Sequence, residues 1–202
     1  MRSTITIILT LCLLGLQAHY DYEDEANKRC FVGSIFTMLG NLLPDERQNY
    51  VQLYLRYRIT EQDVVSVEAK TWRYFKPLGI PYDEACKNPE EYFPGLIRKK
   101  GFALAYQSFF NKGLYATVHL MSAWYDFIYT NEVKFDNGFQ NFNTYRLGYP
   151  IKLSKRTFFM ERSIAITYRR HLMEMSEAFK RQDGKWSKSL FAGPGLHFGY
   201  NL

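Results

Sequence analysis

The hydrophobic residues of the chain recur mostly at steps of three and four, the spacing of one face of an α-helix. In segment 114–130 the apolar positions are Leu114, Val118, Met121, Tyr125 and Ile128. In segment 155–181 the positions are Phe158, Ala165, Tyr168, Leu172, Met175 and Phe179. The pattern predicts a mainly α fold, a multi-helix globular domain around an aromatic-rich core.

Three segments depart from this spacing. Hydrophobic and polar residues alternate over 51–60, as in a strand, but Pro44-Asp45-Glu46 resembles a helix start. We therefore assign residues 51–60 to a helix, with an α+β fold in which they form a strand as the alternative. Asn137-Gly138 between aromatic residues predicts the turn of a small β-hairpin near 133–153. The glycines and aromatic residues of 187–202 predict an irregular C-terminal arm.

The N-terminus indicates export. Residues 1–18 combine a basic residue, an apolar run and a small residue at a junction, as in a signal peptide. Residues 19–202 then form a single helical domain that begins with an acidic tail, 19–26, and is predicted to be secreted. The two remaining cysteines predict a Cys30–Cys86 disulfide. Around the apolar segment 114–130, the uncharged run covers only thirteen residues, 113–125, which is too short for a membrane-spanning helix.

Basic charge is concentrated in the C-terminal part of the chain. Residues 146–202 hold 11 Lys and Arg against 4 Asp and Glu, whereas residues 19–145 hold 14 against 16. Such a surface favours an acidic partner: an acidic protein, a polysaccharide or an anionic lipid surface. The alternative is a solvated basic helix with no partner. The candidate contacts are Arg162, Arg169, Arg170, Lys180 and Arg181.

A polar stripe accompanies the apolar face of the helix predicted over 114–130. Its members are Tyr115, His119, Ser122 and Asp126. Asp126 would lie about 10.5 Å from His119 along a helix axis, too far to form a catalytic triad within this helix. The stripe is therefore a candidate binding site, which either faces solvent, packs in the core or lines a pocket for a small apolar ligand.

No motif in the sequence identifies a reaction, and neither a cofactor, a metal nor a nucleic acid is expected. The main hypothesis is a secreted, non-catalytic binding or interaction protein. One alternative is a secreted hydrolase that uses His119 with groups from other helices. Another is a secreted structural or oligomer-forming protein.

Overall fold

Eight antiparallel β-strands close into one barrel. The computed structural model describes residues 29–42, 49–74, 92–110, 113–129, 131–153, 158–173 and 175–202. Each strand pairs with its neighbours in sequence, and the last strand pairs with the first. The strands are β1 (Cys30–Ile35), β2 (Val51–Arg58), β3 (Asp63–Tyr74), β4 (Gly95–Phe110), β5 (Leu114–Tyr129), β6 (Lys134–Lys152), β7 (Phe158–His171) and β8 (Ser189–Asn201).

Helical structure in the described ranges is limited to two short elements. A 3-10 helix follows β1 over Phe36–Leu42, and one α-helix, α1 (Glu177–Asp183), lies between β7 and β8. None of the helices in this part of the chain is long and apolar enough to cross a membrane. The predicted mainly α fold is therefore wrong. In the segment 155–181, whose spacing is helical, the described α-helix begins only at Glu177.

The error has a physical cause. Residues four positions apart share one face of a helix, but they also share one face of a strand, because side chains alternate with a period of two. In β5, Leu114 and Val118 both point outward, whereas Met121 and Tyr125 both point inward and are buried. The step of three from Val118 to Met121 therefore crosses the sheet, which the helical interpretation did not detect.

Of the other local predictions, one is confirmed and two are wrong. The alternative strand in 51–60 is confirmed as β2, whose residues alternate strictly between exposed and buried. The hairpin turn at Asn137-Gly138 is wrong, because both residues lie inside β6. Gly138 instead faces the ring of Tyr125, with no room for a Cβ between them. The irregular arm is also wrong, because most of it is β8, which closes the barrel against β1.

The predicted disulfide gains no support. Cys30, at the start of β1, has a free thiol. Cys86 lies outside the described residues, as do the predicted signal peptide (1–18) and the acidic tail (19–26).

The two ends of the barrel differ in their connections. At one end, which we call the turn end, the connections are short: 59–62, 111–113 and 153–157. The start of β1 and the end of β8 lie at the same end. The opposite end, which we call the loop end, carries the segments 36–50, 75–94, 130–133 and 172–188. Three of these four are longer than any connection at the turn end.

Candidate membrane surface and polar lumen

Large apolar side chains cover the outer surface of the barrel. Phe102 and Leu104 are 64% and 65% exposed, and similar residues recur at outward positions of every strand. We call this set the apolar belt. Its members include Val32, Leu53, Leu55, Tyr57, Val65, Val67, Phe102, Leu104, Tyr106, Phe110, Val118, Leu120, Trp124, Tyr145, Leu147, Phe158, Ile164, Ile166, Tyr168, Leu196 and Tyr200.

Aromatic residues border the belt on both sides. Towards the loop end, the ring of Trp124 lies 6.4 Å from that of Phe102 and 5.0 Å from that of Phe139. We call these three residues the upper aromatic row. Towards the turn end, five exposed aromatic residues lie on four strands: Tyr57, Tyr106, Phe110, Phe158 and Tyr200.

The height of the belt follows from the strand geometry. On β5 the outward positions run from Leu114 to Trp124, ten residue steps apart. At about 3.3 Å per residue and a tilt of about 40°, this length corresponds to about 25 Å along the barrel axis. That is the height of the apolar band in β-barrels that cross a membrane.

The interior of the barrel holds many polar side chains among apolar ones such as Phe109 and Met121, in contrast to the outer surface. Ionisable, amide and hydroxyl side chains are buried at inward positions on nearly every strand. They are Gln52, Arg56, Arg58, Glu68, Lys99, Gln107, Thr117, His119, Gln140, Thr144, Glu161, Ser163, Arg169, His197 and Asn201. Soluble domains almost never bury so many ionisable groups, so the usual distribution of polarity is inverted here.

An ion pair organises the lumen near the turn end. Arg56 Nη1 donates to Glu161 Oε1 at 2.6 Å, and both side chains are almost fully buried. Gln107 Nε2 lies 3.4 Å from the same carboxylate oxygen. A cavity of about 20 Å³ adjoins these groups, enough for about one water molecule.

Weaker polar contacts occupy the middle of the lumen. His119 Nε2 lies 3.4 Å from Glu68 Oε2, and neither ring nitrogen of His119 makes a hydrogen bond within the described structure. Burial lowers the pKa of His119 below its ordinary value, which favours the neutral ring. His197 Nε2 lies 3.1 Å from Arg146 Nη1. Glu68, His119 and His197 are buried, and none of the described hydroxyl groups is bonded to His119 as a nucleophile would be.

Near the loop end a buried lysine lies among aromatic rings. The ammonium group of Lys99 is 4.9 to 5.6 Å from the ring centroids of four residues and donates a hydrogen bond to Gln140 Oε1. Cation–π attraction partly replaces the lost hydration of such a group. The four rings are those of Trp72, Tyr74, Tyr125 and Phe142.

Helix α1 covers the lumen at the loop end. Phe179 is fully buried, and its ring centroid lies 4.7 Å from that of Phe127 and 5.0 Å from that of Phe93. Tyr74, Ile97, Tyr125 and Met175 complete this cluster. The described part of the lumen is thus filled by side chains from the Arg56–Glu161 pair to α1, which indicates an occluded barrel.

Polar contacts hold the segment that carries α1 against the barrel wall. Arg169 of β7 forms an ion pair with Asp183 and donates to the carbonyl oxygens of Trp186 and Ser187 at 3.2 and 3.1 Å. His171 Nε2 lies 3.1 Å from Asp183 Oδ2. Burial opposes the ionisation of Asp183. The hydrogen bond from His171 and the charge of Arg169 outweigh it, so the pKa of Asp183 is lowered from its ordinary value.

The predicted polar stripe is divided between the two faces of β5. Tyr115 and His119 point into the lumen and are buried. Ser122 and Asp126 point outward, where Ser122 Oγ lies 3.2 Å from Asn141 Oδ1 and Asp126 pairs with Lys134 at 2.5 Å. The four residues therefore do not form one site.

The predicted basic residues are also dispersed. Arg169 is inside the barrel, whereas Arg162 and Arg170 are at outward positions of β7. Lys180 and Arg181 are exposed on α1. Sequence reasoning missed the buried charges Arg56, Glu68, Lys99 and Glu161. The available signal was the alternation of charged and apolar residues, as in Leu55-Arg56-Tyr57-Arg58.

Comparison with known proteins gives no match: no family model, no curated protein and no solved structure resembles this chain. The class of protein must therefore be inferred from the barrel and its two surfaces.

Proposed function

We propose that this chain is an integral membrane protein of the β-barrel class, with an occluded polar lumen. The observation that carries the proposal is the inverted polarity: a continuous apolar belt outside and buried charges inside. Lipid is the environment that suits such a surface. In water the belt would leave about 20 large apolar side chains exposed, each worth on the order of 1.5 to 3 kcal/mol when removed from water.

Two further features support this proposal. In hydrocarbon every backbone N–H and C=O must be satisfied within the protein, and a closed barrel leaves no free strand edge. Short turns at one end and long loops at the other are typical of outer-membrane barrels, whose long loops face outward. We therefore assign the loop end to the outer side of the membrane. The exported chain would be retained there, which differs from the predicted release as a secreted protein.

The occluded lumen favours an anchoring and surface-presenting role over passive conduction. Side chains fill the barrel from the ion pair at the turn end to α1 at the loop end. The barrel would hold the loop-end segments at the membrane surface. We infer a non-catalytic role, in which those segments and the adjoining outer surface provide the interactions.

The proposal is tested by refolding the full chain with phosphatidylcholine vesicles. We expect the wild type to float with the vesicles after a urea wash and to migrate differently in SDS gels before and after heating. Leu120→Arg places a charge within the belt and should reduce insertion, at a cost of about 2 to 4 kcal/mol near the bilayer centre. The matched control is Lys185→Ala on an exposed loop residue. A wild type that stays monodisperse in water without detergent would exclude a membrane barrel.

A further inference from the structure

Three cationic side chains lie together on the outer surface near the loop end of β3 and β4. Arg73 and Arg98 are directly opposite each other in the register of these strands. Lys100 lies two residues further along β4, on the same outward face. We call Arg73, Arg98 and Lys100 the cationic cluster. Residues directly opposite across antiparallel strands have Cβ atoms about 5 Å apart, and like charges so placed destabilise a sheet.

The surrounding charges do not neutralise the cluster. Within the described ranges, none of the three residues takes part in an ion pair. Asp126 of β5 is opposite Arg98, but it forms a 2.5 Å ion pair with Lys134. The described part of this surface therefore carries an excess of positive charge.

The cluster borders the upper aromatic row. Lys100 is opposite Trp124 in the register of β4 and β5, and Phe102 is the next outward residue on β4. Aromatic residues concentrate at the level of lipid headgroups in membrane proteins. Arg98 and Arg73 lie further towards the loop end, so the cluster is at headgroup height.

An apolar depression begins on the other side of the aromatic row. Leu104 of β4 lines it together with Val67, Val118 and Leu120 of the adjoining strands. Leu104 is four residues from Lys100 on the same face, about 13 Å along the strand. A molecule with an anionic head and an apolar chain could therefore contact both surfaces at once.

We propose that the cationic cluster binds the phosphate-monoester headgroup of a lipid in the leaflet at the loop end, with an acyl chain in the depression lined by Leu104. The inference rests on the proposed membrane insertion. An arginine guanidinium group can donate two parallel hydrogen bonds to the oxygens of one phosphate, and the lysine ammonium group adds a further positive charge. A monoester carries nearly two negative charges at neutral pH, which matches three cations better than a diester does.

The test measures quenching of tryptophan fluorescence by lipids with brominated acyl chains. The full chain is inserted into phosphatidylcholine vesicles, into which brominated phosphatidic acid or brominated phosphatidylcholine is titrated. Trp124 is exposed beside the cluster, and subtracting the signal of Trp124→Phe assigns the quenching to it. We expect phosphatidic acid to be favoured about tenfold over phosphatidylcholine, and phosphatidylglycerol, a diester, to be intermediate.

Two triple variants isolate the cluster. Arg73→Gln/Arg98→Gln/Lys100→Gln should lose the preference, whereas Lys180→Gln/Arg181→Gln/Lys185→Gln, with the same change in net charge, should retain most of it. Equal quenching by all lipids in the wild type, or an unchanged preference in the first variant, would overturn the inference. Full competition by millimolar glycerol phosphate would also overturn it, since the site would then bind a soluble phosphate.

The same experiment separates this inference from the proposed function. Insertion is measured first, by flotation with phosphatidylcholine vesicles that contain no anionic lipid. An inserted wild type without lipid preference overturns only the headgroup site. A wild type that does not insert overturns both proposals.

Discussion

The two ends of the lumen are closed by different kinds of interaction. Near the turn end, buried charges are paired within the barrel wall, as in Arg56 with Glu161. Near the loop end, an element outside the wall, α1, inserts Phe179 into an apolar cluster. The first closure belongs to the strands themselves, whereas the second belongs to a connecting segment.

This difference predicts different consequences when each end is disrupted. Arg56 and Glu161 come from β2 and β7, which are far apart in sequence and not adjacent in the barrel. Their loss should affect the whole barrel. The loop-end cluster is held by residues 172–188, whose release would leave every strand pairing intact. Its loss should open the lumen without unfolding the strands.

The largest effect is expected at the turn end. Glu161→Leu leaves Arg56 buried without its carboxylate partner, which we expect to lower the free energy of unfolding by about 3 to 5 kcal/mol. Urea-dependent unfolding of the inserted protein measures the change. The double variant Arg56→Met/Glu161→Leu should recover most of the loss, because neither charge remains to be desolvated. A single variant as stable as the wild type would contradict a structural role for this pair.

A local effect, confined to one connecting segment, is expected at the loop end. Phe179→Ala removes a fully buried ring, and such truncations cost about 3 to 5 kcal/mol where the site cannot collapse. Here most of the loss should appear as opening of the segment 172–188, and the strand unfolding midpoint should change little. Amide hydrogen exchange by mass spectrometry distinguishes the two regions, with Lys180→Ala on the exposed face of α1 as the control. Equal acceleration of exchange in all strands would refute the local character of this closure.

The contrast between inside and outside also explains what the sequence could predict. In β2 the inward residues Gln52, Arg56 and Arg58 are polar and the outward ones are apolar, so the alternation is visible. In β5 the inward face combines Tyr115, Thr117 and His119 with the apolar Met121, Ala123 and Phe127. Both faces of β5 are therefore rich in apolar residues, and the period of two is hidden.

The candidate sites depend on pairing that is not local in sequence. Glu68 meets His119 and Arg56 meets Glu161 only because the closed barrel determines which inward side chains share a level. Similarly, Arg73 lies beside Arg98 through the register of β3 and β4. The sequence predicts the basic character of the C-terminal part, but β7 directs Arg169 inward and Arg170 outward. A helical assignment could not reveal that separation.

The smallest effect concerns the polar contacts of α1 and depends on pH. The pKa of Asp183 is lowered from its ordinary value of 3.8 in the folded protein. A lowered pKa means that the ionised carboxylate stabilises the closed segment above the ordinary value, and that this contribution is lost as pH falls through the lowered pKa. We therefore expect the loop end to remain closed at neutral pH and to loosen below about pH 4, while the strands stay paired.

Asp183→Asn tests the origin of that change. It removes the charge at every pH. At neutral pH it should therefore lower the free energy of opening of the segment 172–188 by about 2 kcal/mol, the usual contribution of a hydrogen bond to a charged group. Limited proteolysis of the inserted protein at pH 7 and below pH 4 measures the opening. The variant should be cut equally at both pH values, because it has no carboxylate at this position to protonate. If the variant kept the acid sensitivity of the wild type, another group would have to be responsible, and the contact between Asp183, Arg169 and His171 would not be what holds α1 in place.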